Sequence, residues 1–168
     1  MHTSRVPRAI LWGGLIAGTL DITAAFIDVK WSYGMAPLRL LQAVASAVLG
    51  PEALNGGVAT AALGLAMHFT VAFTATTIFY LISRRYPVWV RWAIPAGIAY
   101  GAVVFLFMYR VTIPLTIELK SHYLANFTRP PLPKLRWQQF FIHLVCVGLP
   151  IALCARHFGM GGRRGSDA

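Results

Sequence analysis

Charge is scarce in this chain. Of its 168 residues only 12% are charged, and just five are acidic. Soluble domains carry about 25% charged residues, so a water-solvated surface of ordinary extent is excluded. Cysteine is almost as rare. Cys146 and Cys154 lie eight positions apart in one apolar run, about 12 Å along a helix, which exceeds disulfide reach. They read as small apolar packing residues and say little about compartment. There is no HExxH, CxxC, GxSxG or Gly-rich phosphate loop, and with them go the usual signatures of metalloprotease, thiol-redox, serine-hydrolase and nucleotide chemistry. The balance is against an enzyme. No internal repeat is evident.

What the chain has instead is hydrophobicity: 57% hydrophobic residues and a mean hydropathy of +0.62. Whole segments of about twenty residues are apolar all round, where a soluble bundle would show an apolar stripe and a charged face. The expected fold is all-α, one integral membrane domain built as a bundle of four transmembrane helices, over residues 9–29, 58–82, 92–113 and 138–155. A signal peptide is the rival reading of the first run. Asp21 inside it, and a length close to that of a span, weigh against that rival. Residues 37–49 are too short to span and carry Arg39, Gln42 and Ser46 on one stripe, opposite Leu38, Leu41, Ala45 and Val48, which predicts a short amphipathic interfacial helix. Pro114 to Trp137 reads as the longest connection, because Pro114 and the stretch Thr128 to Pro133 break helices by local rules. Pro150 is expected to interrupt the fourth span, and a mobile basic tail is expected over 156–168.

The formal charge of +10 comes from Lys and Arg clustered just outside the apolar runs, where cations meet anionic lipid headgroups. No basic helix or aromatic-basic platform suggests nucleic acid as a partner. The lipid bilayer is the expected partner, with a homo-oligomer or a larger membrane complex as further candidates. Both termini and the turn at Arg84 to Arg91 fall on one side. That short Arg-rich turn favours cytoplasmic termini under the positive-inside rule.

Small residues form close-packing faces: Gly14 and Gly18 in the first span, Gly64 in the second, Gly97 and Gly101 in the third. Asp21 shares the face of Gly14 and Gly18 by helical spacing. A carboxylate at mid-span costs about 2.5 to 3.5 kcal/mol on insertion scales, so it should face protein or water. His68 follows Gly64 by one turn, and His143 occupies a similar place in the fourth span. Counting 1.5 Å per residue from one membrane face, Asp21 lies about 12 Å deep, His68 about 15 Å and His143 about 8 Å. This predicts a polar pocket in one half of the bundle, with Asp21, His68, His143, Tyr100 and Tyr109 as its candidates and Glu118 and His122 at its mouth. Thr70, Thr74, Thr76 and Thr77 are expected to make helix–helix hydrogen bonds.

Gly14 to Gly18, the aromatic-rich stretch from His68 to Phe73 ending at Tyr80, the basic turn with Pro87, the Gly97 and Gly101 helix, the Pro114 exit and His143-Leu144-Val145 together resemble the YagU-like bacterial inner-membrane proteins. The similarity is made of positions scattered over most of the chain. It departs from the family pattern in its shortened first loop and in Asp21. The resemblance implies a small multi-pass protein of the bacterial inner membrane and carries over no catalytic residues.

Three functions fit these residues. The first is proton- or cation-linked transport through the pocket, with Asp21 and His68 exchanging the ion. The second is an accessory or scaffolding subunit whose acids and histidines fasten helices. The third is a haem b site with His68 and His143 as axial ligands, although their depths differ by about 7 Å. No other cofactor is expected. Asp21, His68 and His143 are suitable ligand types for a metal but lack local spacing for one, so a metal is left open.

Overall fold

A computed structural model describes residues 5–124, 128–129, 132 and 134–159. Every regular element among them is helical. Helix α1 (Arg5–Tyr33) ends at Gly34, whose φ of +65° turns the chain while its N–H bonds back to the Lys30 carbonyl. Helix α2 (Pro37–Leu49) starts on a proline with no N–H to leave unsatisfied and stops at Gly50. A 3-10 turn then leads into α3 (Gly57–Arg85), followed by the short α4 (Val88–Arg91), α5 (Ala93–Phe107) and α6 (Ile113–Tyr123), and finally α7 (Trp137–Ile142) and α8 (Leu149–Gly159).

Two prolines explain the irregular backbone. A π turn over Met108–Thr112 joins α5 to α6, and another over His143–Gly148 joins α7 to α8. Pro114 and Pro150 each stand second in the α-helix that resumes. Proline cannot donate to the carbonyl four residues back, and its ring crowds that carbonyl. Widening the preceding turn relieves both problems without ending the helix. The third span therefore runs on through Pro114 to Tyr123, well past the expected stop at residue 113. The fourth is widened at Pro150, not broken.

Among the described residues four helical stretches are long and apolar enough to cross a membrane: Val6–Tyr33, Gly57–Arg85, Ala93–His122 and Trp137–Phe158. Their outward side chains, such as Ile27, Val58, Val103, Phe107, Phe141 and Val145, are at least half exposed. An apolar surface of that extent is solvated by lipid, and the chain is a multi-pass membrane protein.

The interfacial helix occupies the expected residues, but its polar stripe turns toward protein. Arg39 donates to the Leu54 carbonyl and Gln42, itself buried, donates to the Gly57 carbonyl. These bonds tie α2 to the turn before α3. Gly64 lets the two helices touch, because a Cβ there would strike the Leu41 carbonyl.

A small core of Ala17, Ala75, Phe79, Ala93, Tyr100 and Ile151 fills the half of the bundle nearest the Arg84 to Arg91 turn. There α5 and the end of the π turn that leads into α8 meet backbone to backbone: a Cβ on Gly148 would strike the Gly97 carbonyl and the Gly101 nitrogen. Gly14 and Gly18 act differently, each seating a phenyl ring of α3, Phe73 on the first and Phe69 on the second. Four threonines of α3 expected to bridge helices do not. Thr70, Thr74, Thr76 and Thr77 all donate to the carbonyl four residues back in their own helix, which satisfies a hydroxyl in an apolar span without a partner helix. The expected tail beyond Gly159 lies outside the described residues, as does part of the Thr128 to Pro133 stretch.

Candidate functional site

In the other half of the bundle α3 parts from the α5–α6 rod, and a cavity of about 510 Å³ opens between them, with α1 and the π turn at His143 on one side and α2 across it. At the closed end the Tyr100 hydroxyl donates to the Ala75 carbonyl at 2.7 Å, joining the two helices where they separate. At the α2 end the Lys120 ammonium donates to the Ser46 carbonyl at 3.2 Å. The walls are mainly Val, Ala, Met, Ile and Leu, and Asp21, His68 and His143 all line the cavity.

Asp21 and His68 are the central pair. Seating Phe69 on Gly18 brings α1 and α3 close enough for His68 Nε2 to lie 2.8 Å from the Gly18 carbonyl. A carbonyl only accepts, so Nε2 carries the hydrogen and Nδ1 of the neutral ring presents a lone pair. That Nδ1 stands 4.0 Å from Asp21 Oδ2, within ion-pair range and beyond hydrogen-bond range. The other carboxylate oxygen, Oδ1, is buried and has no hydrogen-bond partner among the described residues. Leaving such a group unsatisfied costs about 1–3 kcal/mol, and more when it is charged.

A second acid on the same helix shows what satisfaction looks like here. Asp28 lies seven residues on, hence on the same face of α1, with its side chain 8% exposed. It receives a two-pronged pair of bonds from Arg136 at 2.8 and 3.0 Å, one from Gln139 at 2.7 Å and a longer one from Ser32 at 3.3 Å. Arg136 also donates to Ser32 and covers the Tyr33 ring. This latch fastens the end of α1 to the start of α7. Asp28 gives little warning in the sequence, because it sits beside Lys30 at the end of an apolar run and its partner Arg136 is 108 residues away.

His143 donates from Nδ1 to the Gln139 carbonyl at 2.8 Å in its own helical turn, so Nε2 is its acceptor nitrogen when neutral. Its ring stands edge-on to Phe105. The remaining candidates fall elsewhere. Tyr100 is engaged at the closed end and does not line the cavity. Tyr109 stacks against Phe105, with ring centroids 4.6 Å apart, and is also absent from the lining. Glu118 and His122 do not form a mouth: both are exposed, 3.4 Å apart, and Glu118 pairs with Arg129 at 3.0 Å. The cause is the continued helix. With α6 running through Pro114, Thr112, Thr116 and Lys120 recur every four residues on the cavity side, and Glu118 and His122 fall on the outer face. The sequence signal for Lys120 is that i, i+4, i+8 stripe, which is visible only once the helix is known not to stop.

No protein-family model, no curated protein and no solved structure matches this chain.

Proposed function

We propose that this is a proton- or cation-linked membrane transport protein whose exchange site is the Asp21–His68 pair. The observation that carries the reading is the buried Asp21 Oδ1 without a donor among the described residues, in a fold that satisfies its other α1 acid completely. With neutral His68 and ionised Asp21 the site holds one negative charge. One proton neutralises it, whether carried on the carboxylate or shared with Nδ1. One monovalent cation does the same. Holding both adds a net positive charge in a region of low dielectric, so the two compete. Competition for one buried charge is the physical basis of exchange.

The accessory-subunit reading accounts for Asp28, whose three bonds from Arg136 and Gln139 fasten two elements, and leaves Asp21 unexplained. A haem between His68 and His143 would require His68 to surrender the Gly18 carbonyl and turn Nε2 into the cavity. Location in a bacterial inner membrane, with cytoplasmic termini and Arg clusters on anionic headgroups, belongs to the same proposal. It follows from the positive-inside argument and the resemblance to the YagU-like proteins.

The test is proton flux in proteoliposomes loaded with a pH-sensitive dye, driven by gradients of inorganic and organic monovalent cations. Wild-type protein should couple one of these gradients to proton movement, and Asp21→Asn should abolish the coupling while inserting and folding normally. Coupled flux unchanged in Asp21→Asn would overturn the reading.

A further inference from the structure

We infer that the cation taken by this cavity is an amphipathic organic monoamine: a primary or secondary ammonium held by Asp21 and His68, with an apolar body packed against the Val, Met and Ile side chains of α2, α3 and the α5–α6 rod. This rests on the Asp21–His68 pair being the exchange site proposed above.

The donor–acceptor inventory separates ammonium from metal ions. Around Asp21 the acceptors are the two carboxylate oxygens and the Nδ1 lone pair of His68; the Gly18 carbonyl already receives Nε2–H. A hard divalent cation takes about six oxygen ligands, whereas Asp21 brings two carboxylate oxygens. An ammonium needs only one acceptor per N–H. A primary or secondary ammonium can donate to Asp21 Oδ2 and to His68 Nδ1 together, since these acceptors stand 4.0 Å apart, and the bond to the carboxylate is charge-assisted. A quaternary ammonium has no N–H and satisfies neither.

The rest of the cavity specifies the body. Small-molecule sites occupy about 300–1,000 Å³, with apolar walls and a few convergent polar groups, and about 510 Å³ lined by Val44, Val71, Val104, Met108 and Ile113 fits that description. Lys120 places a second cationic group on the same lining, where α6 meets α2. Among the described residues that line the cavity Asp21 is the one carboxylate, so a second ammonium would be buried without a counter-charge and monoamines are selected over diamines of equal length.

The experiment is calorimetric titration of the full chain in lipid nanodiscs, corrected against empty nanodiscs, with hexylamine, hexanol, trimethylhexylammonium and 1,6-diaminohexane as probes. Hexylamine should bind saturably at one site per chain, at least tenfold more tightly than the other three. Asp21→Asn should weaken it at least tenfold. Val44→Phe, which fills the cavity from α2 and leaves Asp21 in place, should weaken it too and serves if Asp21→Asn misfolds. Equal affinity for hexanol, or hexylamine binding unaffected by both substitutions, would overturn the assignment. Cation-coupled proton flux without saturable hexylamine binding would overturn the amine alone and leave the exchange site standing. Saturable, Asp21-dependent hexylamine binding without any proton flux would uphold the amine and overturn transport.

Discussion

The two acids of α1 should respond to the same substitution with opposite signs. In Asp28→Asn the amide nitrogen replaces one carboxylate oxygen and faces Arg136, itself a donor, so whichever way the amide turns one of the two Arg136 bonds is lost together with the charge. Hydrogen bonds to charged groups contribute about 1.5–3 kcal/mol each. Removing one partner of a buried ion pair costs about 3–5 kcal/mol. Asp28 is 8% exposed, but Arg136 is 21% exposed and retains access to solvent and Ser32, which favours the lower end, a loss of about 3 kcal/mol. In Asp21→Asn no bond to Oδ1 is lost, because it has no donor among the described residues, and the penalty of a buried charged oxygen is relieved. A gain of about 1–3 kcal/mol follows, as expected where an acid is retained for function at the expense of stability. Reversible unfolding in mixed detergent, followed by tryptophan fluorescence, measures both variants against wild type. If Asp21→Asn destabilises the protein as much as Asp28→Asn does, Asp21 is a fastening residue and the exchange site loses its basis.

Other consequences follow from single contacts. Gly148→Val should overpack the contact of the π turn before α8 with Gly97 and Gly101 of α5 and destabilise by about 3 kcal/mol or more, read by the same unfolding assay. Tyr100→Phe removes one bond to the Ala75 carbonyl and should cost about 0.6 kcal/mol, the average for polar contacts between membrane helices, with proton flux retained. Glu118→Gln touches only the exposed pairs with His122 and Arg129. It should leave flux unchanged and shift stability by less than about 1 kcal/mol, whereas a residue at a pocket mouth would alter flux.

The apolar runs make three of the four spans legible almost to their ends, and the close-packing role of Gly97 and Gly101 is legible from spacing alone. Asp21 stands out for an equally local reason, since a carboxylate at mid-span has to be accommodated somewhere. The third span is different. Pro114 ends a helix by every local rule, and only the π turn before it, formed within packed neighbours, lets the helix continue. That single feature moved Glu118 and His122 to the outer surface and brought Thr116 and Lys120 to the cavity. The Asp28 latch was hidden for a related reason, because the partners that make its burial tolerable lie more than a hundred residues away.

Proton release on cation binding tests the exchange site most directly. Protein in weakly buffered nanodiscs is titrated with monovalent cations, hexylammonium among them, while a pH indicator reports bulk acidity. Competition for one buried charge predicts a saturable release of protons from wild type that disappears in Asp21→Asn. Cation binding with no proton release, or release that persists in the variant, would contradict it.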